Sequence, residues 1–141
     1  MITYLLEHIF LNENMPNIGD ATGLRSSSND GHFYFALHTD NPMNYDDVEV
    51  DYTGYSRVAV ARTSTGFTVA GNKVFNYADV QFPERIDDGE TMEASYFGLH
   101  TAATGSGNLF ASGSLASPIS ITQGAIAPYS PGNLVVEISR L

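Results

Sequence analysis

The chain has 141 residues, no cysteine, and sixteen acids against six bases, for a net charge of −10. This length suits one domain of ordinary size, about 100–150 residues, and 43% apolar content supports a core that needs no metal or disulfide. Without cysteine, disulfide scaffolds, thiol catalysis and thiolate zinc sites are excluded, and the acidity argues against phosphate-dominated nucleic-acid binding.

The opening MITYLLEHIFL carries no basic leader, is interrupted by Glu7 and His8, and is too short to cross a bilayer. Neither a signal peptide nor a membrane partner is expected. Within it, Ile2, Leu5, Leu6, Ile9 and Phe10 recur at helical spacing, which predicts an amphipathic helix. Asn12, Asn14, Pro16 and Gly19 then stop it. GDATGLRSSSNDG (19–31) is polar and glycine-rich and reads as a loop or flexible arm. The expected organisation is therefore a helix and arm over 1–31 and a β domain over 32–141. The stripe has two uses, packing on its own domain or docking on a neighbour through Leu5, Ile9 and Phe10.

From His32 the pattern becomes that of an all-β protein. HFYFALH alternates, with Phe33, Phe35 and Leu37 on one face and Tyr34, Ala36 and His38 on the other. YSRVAVART, a hairpin FTVAGNKVF around Gly71-Asn72, ADVQFP, ETMEASYFGLH, NLFASGSL, SPISIT and NLVVEIS follow, separated by turn signals such as DNP, DDG and QGA. Short strands at this spacing predict a single antiparallel β-sandwich or jelly-roll-like domain. Acids cluster at 40–51 (Asp40, Asp46, Asp47, Glu49, Asp51) and again at 79–93, whereas residues 102–141 carry only Glu137 and Arg140. A stretch that poor in charge reads as sheet lying against something else, another subunit being one occupant.

Phe-x-Leu-His-Thr occurs twice, at 35–39 and 97–101. The repetition puts His38 and His100 at matching strand ends, and with Asp40 or His32 a histidine–carboxylate metal site can be drawn. No third ligand is dictated by the pattern, so a local hydrogen-bonding role outweighs the metal one. DNPMNYDDVEVDY offers calcium oxygens from Asp40, Asn41, Asp46, Asp47 and Glu49, yet lacks the EF-hand order and reads as a solvated turn. GFTVAGNK ends Asn-Lys where a phosphate loop needs Lys-Ser or Lys-Thr. No G-x-S-x-G elbow or triad spacing is present. Tyr45, Tyr52 and Tyr55 beside the acidic loop suggest a carbohydrate-binding face as one reading, against the commoner fate of aromatics in a core.

In order, HFYFALHTDNP, DYTGYSRVAVART, ADVQFPE and YFGLHTAATGSGNLFASGSLASPISITQGAIAPYSPGNLVVEI resemble a family of short tailed-phage virion proteins, over about residues 33–138. Leu37, His38, Thr39 and Pro42 match its "YVALHTADP" strand, and Gly54, Tyr55, Arg57, Ala59 and Val60 its "GGYARVAV" segment. Phe82-Pro83 matches its "F-P" strand, and Phe97, Gly98, Ala102, Ala103, Gly107, Asn108, Leu109, Gly113 and Leu115 its glycine-rich segment. The chain departs in lacking a tryptophan near Gly89-Glu90-Thr91, in the acidic insertion after Pro42, and in His100, where relatives tend to hold an apolar residue.

The resemblance implies a virion structural role with no catalytic residues and no cofactor. The expected function is a capsid decoration (cement) protein on the assembled head, with the major capsid protein or other virion proteins as partners. It is expected to be a homo-oligomer, a trimer being one option, assembled in the host cytoplasm. A tail or fibre-attachment protein stands second, and a carbohydrate- or host-binding β-module third.

Overall fold

The apolar stripe at the N terminus forms α1 (Ile2–Leu11), the first element of a computed structural model that describes residues 1–45, 47–105, 109–129 and 132–138. Strand accounts for 39% of the structure and helix for 8%, the all-β class with antiparallel sheets and a short N-terminal helix. No helix among the described residues is long and apolar enough to cross a membrane. The chain divides into two compact units, interleaved along the sequence.

The first unit comprises Met1–His32, Val60–Ala78 and the described part of residues 130–141. Leu6 and Phe10, one helical turn apart, are fully buried there, and the Phe10 ring meets Phe67 edge-on at 5.1 Å between centroids. The helix ends where Asn12 turns left-handed (φ 54°), a conformation asparagine tolerates, and the Glu13 amide returns to the Glu7 carbonyl. The glycine-rich segment after it is tied down: the Asn12 side chain exchanges hydrogen bonds with the Ser27 backbone, and Arg62 donates to the Ile9, His8 and Asp30 carbonyls.

Phe67 opens a hairpin of β3 (Phe67–Ala70) and β4 (Lys73–Asn76), turning at Gly71 with φ +62° as the Gly-Asn pair requires. β9 (Val135–Glu137) adds to β4. Buried Asn76 secures that join, accepting the Leu134 amide on its side-chain oxygen and donating to the Ala78 carbonyl.

The second unit comprises Phe33–Ala59 and Asp79–Tyr129. β1 (His32–His38) lies between β6 (Met92–His100) and β2 (Val58–Ala61), and β7 (Leu109–Ile121) forms the far edge, order β2-β1-β6-β7. β1 and β6 run antiparallel with Ala36 opposite Gly98. The segments NLFASGSL and SPISIT, read from sequence as separate strands, join as β7. The strand bulges instead of breaking, since Tyr96 faces Ser114 while Ala94 faces Ile119. β5 (Val80–Gln81) pairs with β8 (Pro128–Tyr129), a two-residue strand that its own sequence does not announce.

β1 is buried on both faces from Phe35 to His38, and the 48–50 segment hydrogen-bonds along its edge. Thr39 donates to the Val48 carbonyl and Val50 to that of Leu37. Arg85 is 1% exposed yet satisfied, paired with Asp87 at 2.8 Å and donating to the Glu90 and Ile121 carbonyls.

Candidate functional site

The two histidines of the repeated motif meet inside the second unit. They sit two residues to either side of the Ala36–Gly98 pair, on one face of adjacent strands. Their rings lean over Gly98 until the Nε2 atoms are 3.3 Å apart, with rings stacked at 24°. Glycine makes this possible: a Cβ at position 98 would lie 2.5 Å from His38 Nε2 and 2.9 Å from His100 Nε2.

That contact needs one N–H and one lone pair, and with burial holding both rings neutral they carry opposite tautomers. Burial pushes His38 down to about 4, the charge of Arg57 and the neighbouring His100 acting with it and Glu49 against it. Burial also lowers His100, with Arg57 again contributing. Neither Nδ1 has a hydrogen-bond partner among the described residues. One of them therefore holds an unsatisfied N–H, a cost on the order of 1–3 kcal/mol to this arrangement.

Beside the pair, Glu49 receives two bonds from the Arg57 guanidinium, at 2.8 and 2.9 Å, and one from the Tyr55 hydroxyl at 2.7 Å. Burial would raise the Glu49 carboxyl, but those bonds and the Arg57 charge hold it below the usual carboxylate range. The remaining Arg57 donors reach the Ala102 and Gly105 carbonyls, so this one side chain clamps the 47–50 segment to the loop after β6. Tyr55 is pushed up, first by burial and then by its bond to Glu49.

A cavity of about 560 Å³ opens over this network, with His38, His100, Glu49 and Arg57 in its wall and Pro42, Tyr45 and Asp47 also lining it.

The arrangement binds structure to itself rather than presenting reactive groups. Among the described residues no three histidine, aspartate or glutamate side chains converge as metal ligands. Glu49, the carboxylate whose charge acts on both histidines, is committed to Arg57 and Tyr55. His32 and Asp40 are exposed. In the acidic loop, Asp40 and Asn41 accept neighbouring backbone amides in their own turn, and Asp46 lies outside the described residues. Of the three tyrosines, Tyr45 is exposed, Tyr52 is buried with its hydroxyl on the Pro83 carbonyl, and Tyr55 is turned onto Glu49. In α1, Phe10 is taken up by its own unit, while Leu5 and Ile9 are half-buried. Sequence reasoning flagged the histidines through their echo but not the Glu49–Arg57 clamp. Arg57 stood only as a matched position in the "GGYARVAV" segment, and Glu49 as one of several loop acids.

A family model described as Podophage GP4 fiber I protein gp80 matches residues 24–137, most of the chain and the whole of the second unit. The chain belongs to that family. It is a phage virion structural family, which puts this chain in the virion among other virion proteins. The match takes in His38, Glu49, Arg57, Gly98 and His100, and begins beyond α1. No curated protein matches the sequence.

Proposed function

We propose that the chain is a structural component of the phage tail fibre or its attachment apparatus, assembling with other virion proteins and catalysing no reaction. The observation that carries this reading is the family match across residues 24–137 and its fibre description. It favours the tail over the capsid-decoration role expected from the sequence, which rested on size, acidity and a charge-poor sheet. The geometry of the second unit is consistent with a mechanical part, since its buried polar groups are spent on cross-linking loops to strands. The carbohydrate-binding alternative loses support, because Tyr52 and Tyr55 face inward.

Electron microscopy of intact virions labelled with an antibody against this chain tests the reading. Label confined to the tail or its fibres, at few copies per particle, is expected. Label spread over the head at a fixed ratio to the major capsid protein would overturn it and restore the decoration role.

A further inference from the structure

Three pieces of the second unit meet on one ion pair. Glu49 belongs to the 47–50 segment, which hydrogen-bonds along β1, and the Arg57 guanidinium joins it at 2.8 Å. Other Arg57 donors fasten the loop after β6, at 2.9 Å to the Ala102 carbonyl and 2.7 Å to that of Gly105. Arg57 thus anchors the loop, and Glu49 in turn orients Arg57.

The histidine pair is set against the same carboxylate. His38 and Glu49 face each other across an antiparallel bridge, so their side chains leave the backbone on one face. His38 therefore has Glu49 on one side and His100 on the other, the latter contact being the 3.3 Å between Nε2 atoms. Around the pair stand Glu49 and Asp47 from the 47–50 segment, Arg57 and the Tyr55 hydroxyl from the segment before β2, and uncharged Leu109 from β7. The cavity over this network gives solvent protons a route to the rings and gives the rings room to move.

Two protons change the arrangement in turn. The first leaves one lone pair for the N–H···N contact, and puts a cation beside Glu49 in competition with Arg57. The second removes the last lone pair, and two imidazoliums at 3.3 Å must part.

We infer that His38, His100, Glu49 and Arg57 form an acid-operated latch: protonating the pair draws Glu49 off Arg57 and frees loop 101–105 while β1 and β6 stay folded. This is a local opening, distinct from loss of the whole fold. The latch goes beyond the fibre reading and does not depend on where the chain sits in the virion, so its failure would leave that reading intact.

Nitrogen-15 relaxation on the purified chain tests it, from pH 7 to about pH 3.5, below the value of about 4 to which burial lowers His38. At pH 7, amides 102–105 should be as rigid as β1 and β6, with order parameters of about 0.85. In acid the loop should fall below about 0.6 while the strands keep their values. His38→Phe takes no proton and should hold the loop rigid throughout. His100→Phe should do the same, a second reading if the first variant fails to fold. A loop already mobile at pH 7, a loop rigid at both ends of the range, or loop and strands loosening together would overturn the inference on the wild-type chain alone. So would an acid release that persists undiminished in either folded variant.

Discussion

His38 and His100, on neighbouring strands, touch Nε2 to Nε2 at 3.3 Å over the bare Cα of Gly98. The contact survives only while at least one lone pair remains between the two nitrogens. Protonating both rings places two buried positive charges against each other, with Arg57 close by.

Acid should therefore destabilise the protein through this pair. His38 titrates near 6.5 when unfolded and about 4 when folded, so the unfolded chain binds the extra proton first. The stability this represents is present in full above pH 6.5 and is lost as pH falls towards 4. The shift corresponds to about 3 kcal/mol. Melting temperature should drop between pH 7 and pH 4.5, and His38→Phe should flatten that part of the profile relative to wild type. Parallel profiles for the two proteins would show that the pair does not titrate this way.

Gly98→Ala should force the rings apart. The new Cβ meets both Nε2 atoms inside contact distance, and overpacking of this kind typically costs about 1–3 kcal/mol. Urea unfolding gives the size of the loss. The imidazole NMR signals of His38 and His100 should shift together, since one methyl displaces both.

Removing the clamp should cost more. Arg57, with a side chain 4% exposed, satisfies Glu49 and two loop carbonyls at once. Arg57→Met should destabilise by about 3 kcal/mol, because Glu49 is left without its cation. Arg57→Lys should recover little, as an ammonium cannot reproduce the fork. Hydrogen exchange at amides 101–105 should rise in both variants, and full recovery by lysine would count against the clamp.

Phe10→Ala should lower the stability of the isolated chain by about 3–5 kcal/mol, the cost of emptying a fully buried aromatic site. Ile9→Ala and Leu5→Ala, at half-buried positions, should cost less. Calorimetry on the purified chain decides it. If Phe10→Ala left the melting temperature unchanged, Phe10 would be free for a neighbour instead.

Elements built from adjacent residues were legible in advance. The stripe of Leu6 and Phe10 forecast α1, Asn12 its end, the alternation of HFYFALH β1, and Gly71-Asn72 the β3–β4 turn. The two-residue strand β8 was not, because it exists only through its pairing with Val80 and Gln81. NLFASGSL and SPISIT join as the single strand β7, in which Pro118 is tolerated because it lies on an edge strand within a bulge.

The sequence by itself determined the all-β class, the helix, the best-patterned strands, the acidic surface and its uncharged β7 stretch. Those properties follow from composition and from periodicities of two and 3.6 residues, which are written locally. Only the tertiary structure decided that His38 stacks on His100, that Glu49 leaves the acidic loop to bind Arg57 and Tyr55, and that β7 is left at an edge. The histidine pair and the β7 edge depend on antiparallel registers between residues distant in the chain, and the Glu49 contacts on burial that turns Tyr55 and Arg57 onto a carboxylate six and eight residues away. The Ala36–Gly98 register puts two histidines within 3.3 Å, and burial of that contact turns two ordinary imidazoles into a neutral pair.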